Sequence, residues 1–177
     1  MNSTQVLAVL AVAVGICAAI SDVKSRRIPN RLTYSAMVAG LLLQTILFGW
    51  QGFLLSVEGG LLFGGLFMLF YLIRAMGAGD VKLAAAVGSI VGISAALPVL
   101  VATVWSGAAL AVCIMVLSGR VVETLRNTLW VTAFHARHGL QVHPVVNLDN
   151  PMGGRMPYGL AFAVGTVYWA LSVGWWG

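Results

Sequence analysis

Long runs of apolar residues, separated by short polar connections, dominate the chain. A helix needs about 20 apolar residues to cross the roughly 30 Å hydrocarbon core of a bilayer. Unpaired backbone amides are too costly in lipid, and a membrane barrel would need alternating polarity, so each run is predicted to be helical. The apolar runs cover residues 6–20, 32–50, 53–73, 83–117 and 156–176.

The run of residues 83–117 contains no charged side chain. As one helix it would be about 52 Å long at 1.5 Å per residue, which is too long for a single crossing. We expect it to fold back near residues 92–98, where glycine, serine and proline cluster, and so to contribute two crossings. The predicted fold class is an all-α membrane protein, a bundle of six transmembrane helices that forms a single domain over residues 1–177.

The amino-acid composition agrees with this class. Hydrophobic residues make up 60% of the chain and charged residues only 8%, whereas a soluble domain carries about 25% charged residues. A soluble fold of this size would therefore lack the polar residues to cover its surface.

Cys17 and Cys113 fall inside apolar runs and form no CxxC pair, so neither a disulfide framework nor a zinc site is expected. We interpret both as small core residues.

The basic residues predict the orientation of the chain in the membrane. All ten lie in three of the connections. The positive-inside rule places these connections in the cytoplasm and both termini outside. The basic face favours anionic lipid, and not nucleic acid, as a partner. The three groups are Lys24, Arg26, Arg27 and Arg31; Arg74 and Lys82; and Arg120, Arg126, Arg137 and Arg155.

One cytoplasmic connection, residues 118–155, is much longer than the others. Within it, the stretch "VVETLRNTLWVTAFHARHG" places apolar residues at helical spacing opposite charged and polar ones. This pattern predicts an interfacial amphipathic helix. The stretch "NLDNPMGGRMP" then predicts a turn-rich return to the membrane. The connection is too short to form a separate soluble domain.

Two aspartates are predicted to meet on the cytoplasmic side. Asp22 follows the first apolar run and Asp80 precedes the fourth. A topology derived from basic residues alone brings both aspartates to one face of the membrane, which favours a pair that shares one water molecule. In such a pair, one carboxylate takes a proton from the water, and the other carboxyl, which is protonated, donates a hydrogen bond to the carbonyl under attack. Such a pair needs no metal and no cofactor. Because they lack a Cβ, Gly77 and Gly79 are expected to permit unusual dihedrals and close approach of another backbone, which an open peptide-binding site would need.

Less specific interpretations of the acidic residues remain open at this stage. Asp80 is also placed to cap the helix that follows it. Asp22 also fits the interpretation of an ordinary juxtamembrane acid that pairs with Lys24 or Arg26. Glu58 lies near the outer end of the third run, where a buried polar contact or an outer-interface position is expected rather than a catalytic role.

Three histidines raise the question of a metal site. His135, His138 and His143 share the long connection with Asp149, but their spacing fits no standard zinc pattern. We therefore predict no metal site.

Three motifs, in order along the chain, resemble the type IV prepilin peptidase family of GxGD aspartic proteases. They are "DVKSRRIPN" from residue 22, "GAGDVKL" from residue 77 and "MPYGLAFAVG" from residue 156. The likeness is closest to the short form of tight-adherence (Flp-type) pilus systems. The resemblance implies catalytic roles for Asp22 and Asp80, with Gly77 and Gly79 as the motif glycines. The further motif residues it implies are Lys82, Pro29, Asn30, Pro157 and Gly159.

The resemblance also implies a reaction and a location. The expected enzyme is a membrane-embedded aspartic endopeptidase of the bacterial inner membrane. It would remove the short basic leader of prepilins or pseudopilins after a glycine, at the cytoplasmic boundary, and work beside pilus or secretion assembly machinery. Longer relatives carry a cytoplasmic domain with paired CxxC motifs and also N-methylate the new terminus. This chain has no CxxC, so methyltransferase activity is expected to be absent.

Two other classes of function compete with the peptidase. A small transporter or channel would use Asp80 as an ion or proton coupling site. Transporters place such sites near mid-membrane between inverted repeats, whereas both aspartates here are predicted at one boundary. A non-catalytic assembly subunit would need only one aspartate, or neither.

Overall fold

The chain folds into five helices with no strand among the residues described. The computed structural model describes residues 2–139, 141 and 157–176, except for the side chains of residues 135 and 174–176. The first three helices are long and apolar enough to cross a membrane, while the apolar part of the last is shorter. The helices are α1 (Ser3–Ser25), α2 (Asn30–Leu72), α3 (Ala78–Leu117), α4 (Val121–His138) and α5 (Tyr158–Trp176). The predicted all-α class is confirmed.

Helix α2 is divided in two by Gly49. Its 43 residues would extend about 64 Å if straight, but Gly49 has φ 63° and ψ −144°, a conformation open only to glycine. A Cβ on Gly52 would collide with the carbonyl oxygen of Gln44. In a straight helix these two residues would lie about 12 Å apart. The chain therefore turns back at Gly49, and residues 30–48 and 50–72 form two segments.

Helix α3 is divided in the same way by Gly92, which has φ 72° and ψ 168°. Asp80 and Ile114 line one cavity, although a straight helix would separate them by about 51 Å. The fold-back is found at the first residue of the predicted region, and it leaves segments of residues 78–91 and 93–117.

Glycines let the segments pack closely. A Cβ on Gly59 would collide with the carbonyl oxygen of Gly88, and the reverse is also true. Small residues of this kind let membrane helices bring their backbones together. The contacts of α5 with α1 are similar, since a Cβ on Gly15 would lie 2.7 Å from the Thr166 hydroxyl. The buried core lies between these helices.

Helix α4 occupies the segment predicted to be amphipathic. Four of its large apolar residues are exposed, among them Val122 at 80% and Leu129 at 70%. The position of this helix at the membrane interface stays a prediction. The predicted turn-rich return lies outside the described residues, except for Pro157.

The prediction that the cysteines are core residues is wrong. Cys17 and Cys113 are both exposed. In a membrane chain the lipid-facing surface is as apolar as the core, so hydrophobicity alone does not distinguish the two positions.

Candidate active site

Two aspartates from different helices line one cavity. Asp22 lies near the end of α1 and Asp80 in the first turn of α3. The cavity has a volume of about 740 Å³. Seven of the nine predicted site residues line it, and these are Asp22, Asn30, Gly77, Gly79, Asp80, Lys82 and Pro157. The other two, Pro29 and Gly159, do not line it, but each is next in sequence to a residue that does.

Asp22 is held by the start of α5. Its side chain is only 7% exposed, and its Oδ2 accepts a hydrogen bond from the backbone N–H of Gly159 at 2.9 Å. The first backbone N–H groups of a helix have no partner within that helix, so this carboxylate satisfies one of them and faces the positive end of the helix dipole. This burial and the bond to Gly159 do not fit the alternative of an ordinary juxtamembrane acid paired with Lys24 or Arg26.

Gly159 permits this contact because it has no side chain. A Cβ at this position would lie 2.9 Å from the carbonyl oxygen of Ala18 and 3.0 Å from its carbonyl carbon. The backbone of α1 cannot yield locally as a flexible side chain would. Glycine is therefore required for α5 to reach Asp22.

Asp80 stabilises the beginning of its own helix. Gly77 is the N-cap of α3, and its backbone N–H donates to Asp80 Oδ2 at 3.0 Å. The capping interpretation is thus partly correct: Asp80 occupies the third helical position and reaches back to the cap. Capping alone does not account for the cavity that Asp80 shares with Asp22.

The expected unusual dihedrals at the two motif glycines are not found. Gly77 has φ −80°, and Gly79 lies within α3; neither is among the glycines of positive φ. The expected close approach of another backbone is not found either: a Cβ on Gly79 would lie 3.4 Å from the Ile28 Cβ and 3.7 Å from the Ile28 backbone nitrogen, which is ordinary van der Waals contact. Of the two, only Gly77 lies where a Cβ would be crowded, 3.2 Å from Asp80 Oδ2.

A second contact holds the starts of α2 and α3 side by side. The Lys82 ammonium donates to Asn30 Oδ1 at 2.9 Å and lies 5.2 Å from the centre of the Tyr34 ring. Pro29 is the N-cap of α2, and its extended backbone leads the chain into that helix. Lys82 and Asn30 therefore form one edge of the cavity.

Among the lining residues that were not predicted as site residues, Ile28 and Tyr158 contact or adjoin the predicted ones. Ile28 packs against Gly79, and Tyr158 lines the same cavity as Asp80. Both stand inside the motifs, in "RRIPN" and "MPYG". An apolar or aromatic residue inside a polar motif was the available signal.

The other polar candidates lie away from this cavity. Glu58 is exposed on α2, which excludes a buried polar contact for it. The His138 ring stacks on Phe134 at 4.5 Å between centroids. His143 and Asp149 lie outside the described residues, as does the His135 side chain. Within the described part of the chain, no group of three potential metal ligands is found.

The fold and the site together define a helical membrane protein with a carboxyl-lined cavity. The chain belongs to the type IV leader peptidase family, which matches residues 9–112, more than half of its length. The match includes Asp22 and Asp80 and ends before α5. Comparisons with curated proteins and with solved structures gave no significant match. The family resemblance is confirmed and makes this protein a peptidase, while its assignment to the short, tight-adherence form stays a prediction.

Proposed function

We propose that this protein is an aspartic endopeptidase that removes the basic leader from prepilins or pseudopilins after a glycine. The observation that supports this most strongly is the shared cavity of Asp22 and Asp80. These residues are distant in sequence and are presented by two different helices. Family membership supports prepilin-like substrates generally.

The proposed chemistry divides the work between the two carboxyls. Oδ2 of each aspartate accepts a backbone N–H, from Gly159 for Asp22 and from Gly77 for Asp80. These bonds orient the carboxyl planes, and we assign Oδ1 of each to the water. One ionised carboxylate takes a proton from the water as its oxygen bonds to the scissile carbonyl carbon. The protonated carboxyl donates to the carbonyl oxygen. Collapse of the tetrahedral intermediate breaks the C–N bond, and the amine leaves with a proton from the pair.

The proposed topology has six crossings, with the cavity at the cytoplasmic boundary of the bacterial inner membrane. The breaks in α2 and α3 turn two long helices into four apolar segments, to which α1 and α5 add two. Arg26, Arg27 and Lys82 line the cavity, and clustered basic residues favour the cytoplasmic side. This orientation places both termini outside and directs the basic face to anionic lipid.

A transporter that uses Asp80 as a coupling site is the second candidate. It would need the carboxyl group on a path across the membrane, but Asp80 lies in the first turn of α3 beside three basic lining residues. Family membership also favours the peptidase.

We further propose that cleavage occurs without N-methylation and without a metal, beside pilus or secretion assembly machinery.

The test compares the variants Asp22→Asn and Asp80→Asn with Glu58→Gln. Asparagine keeps an oxygen to accept the Gly159 or Gly77 N–H, so both variants should fold. Each should lose at least about 10³-fold in cleavage rate, because general acid–base catalysis contributes on that scale. Glu58→Gln should retain most activity. The readout is leader removal from candidate prepilins by gel shift, with the mass of the new N-terminus showing whether a methyl group was added.

Full processing by either aspartate variant would rule out the shared-water mechanism. The metal question is tested separately by measuring initial rates with and without EDTA. The rate should not change, and a strict metal requirement would return attention to the histidines of the long connection.

A further inference from the structure

A second, apolar cavity of about 290 Å³ adjoins the aspartate cavity. The two cavities share Ala75 and Tyr158 in their walls. The second one is lined by aromatic side chains of α2 and α5 and by small residues of α3. Its lining includes Phe67, Phe70, Gly107, Ala108, Ala111 and Phe162.

The apolar cavity extends along α3 away from the aspartates. Its α3 lining runs from Thr103 to Ala111, about 12 Å or two turns of helix. Ile114, one turn further along, lines the aspartate cavity. The apolar cavity is therefore a groove that begins beside the aspartates and continues into the apolar part of the bundle.

The groove is open to the side. Phe70 is 44% exposed and Val104 is 57% exposed, so its rim lies on the outer surface of the bundle, which faces the bilayer in the proposed topology. Gly107, Ala108 and Ala111 form a wall of small residues, which lets another helix bring its backbone close. The Ser106 hydroxyl ties this wall to α5 through the Ala161 carbonyl oxygen, at 3.0 Å.

We propose that this groove binds the first two turns of the substrate's apolar helix, immediately after the scissile bond. This inference rests on the proposed function. Cleavage requires the scissile peptide to be unwound beside water and carboxyls, while the apolar residues that follow it stay in an apolar environment. A polar cavity continuous with a laterally open apolar groove provides both. Tyr158 and Ala75 lie at the boundary between the two parts.

The first experiment fills the groove. Ala108→Trp places a large ring in it, and Ala109→Trp is the matched control, because Ala109 is also exposed on α3 but does not line the groove. The probe is a synthetic peptide in liposomes, with a basic leader, a glycine before the cut and about 20 apolar residues after it. Ala108→Trp should raise KM at least about 10-fold with kcat nearly unchanged, as expected for loss of uniform substrate binding. Ala109→Trp should change neither. A fall in kcat at unchanged KM would overturn the proposal.

The second experiment uses a small substitution, so it does not depend on whether tryptophan is tolerated. Ala108→Cys and Ala109→Cys are made in an Asp80→Asn protein whose native cysteines are replaced by alanine. The peptide carries a single cysteine at successive positions of its first two apolar turns, and oxidation forms disulfides where the two thiols meet. Ala108→Cys should cross-link at positions one helical turn apart, and Ala109→Cys should not.

If Ala108→Cys forms no cross-link, or if both positions cross-link equally, the groove does not bind the substrate helix. A lipid acyl chain would then be its occupant. Failure of the unmodified protein to cleave the peptide would instead overturn the proposed function. The two failures are thus distinguishable.

Discussion

At the scale of single residues, the position of Asp22 depends on a glycine in another helix. Gly159→Ala would press a methyl group into the backbone of Ala18. Because backbone cannot move aside alone, α5 should shift from α1 and withdraw the N–H that Asp22 accepts. We expect a loss of about 1–3 kcal/mol in the free energy of unfolding, the usual cost of overpacking, together with a fall in cleavage rate of at least 10-fold.

The matched control for Gly159→Ala is Gly65→Ala. A Cβ on Gly65 would meet nothing within 4 Å, and this residue lies inside α2. Replacing glycine by alanine at an open helical position is neutral or stabilising by up to about 1 kcal/mol. Thermal unfolding in detergent and cleavage rates check both variants. Equal behaviour of the two would show that the close contact with α1 is not needed.

At the scale of helical elements, the broken α3 requires support from its neighbours. The 14 residues from 78 to 91 cover only about 21 Å, less than the roughly 30 Å hydrocarbon core. The break at Gly92 leaves the last carbonyl groups of this segment without a helical partner, and residues 89–92 are buried. The Gln44 amide donates to the Ile90 carbonyl oxygen at 3.0 Å, and the Ser56 hydroxyl donates to that of Ser89 at 2.8 Å. Polar side chains in an apolar helix thus satisfy the backbone of another helix.

The two breaks should respond differently to alanine. Gly49→Ala and Gly92→Ala both place a Cβ in a backbone conformation that costs about 1–3 kcal/mol for other residues. At Gly49 the Cβ meets nothing, while at Gly92 it lies 2.9 Å from Gln44 Nε2. The Gln44 amide must then leave the Ile90 carbonyl, so Gly92→Ala should cost about 1 kcal/mol more. Unfolding of both variants in detergent measures the difference, and equal destabilisation would mean that this hydrogen bond contributes nothing.

At the scale of the whole molecule, the proposed six-crossing topology predicts on which side of the membrane the site lies. Single cysteines, introduced after the two native ones are replaced by alanine, report this through labelling with a membrane-impermeant maleimide. Two positions adjoin the aspartates and should be labelled only from the cytoplasm, and two should be labelled only from outside. These positions are Ser25 and Ala78, and Ser3 and Gln51, respectively. Labelling of Ser25→Cys and Ala78→Cys from opposite sides would contradict both the topology and the shared site.

The sequence predicted some features of this structure correctly and others wrongly, because some features are local to the chain and others depend on its tertiary structure. The helices, both fold-backs and the meeting of Asp22 with Asp80 could be predicted, because apolar length, glycine and proline position and basic charge are local features of the chain. The predicted roles of Gly77 and Gly79 were wrong. Glycine permits positive φ and close approach, but its presence in a motif does not show that either applies.

The sequence by itself determined the class of fold, the order of the apolar segments and the two carboxyls that line one cavity. It did so because the cost of unpaired amides in lipid leaves few structures for such a chain, and because basic residues bias orientation. Only the tertiary structure decided which apolar side chains are exposed, why Gly159 must have no side chain, and that Tyr158 stands between a polar cavity and an apolar groove. These depend on contacts between residues distant in sequence, such as Asp22 and Gly159. Such contacts arise from the packing of whole helices and leave no local pattern along the chain.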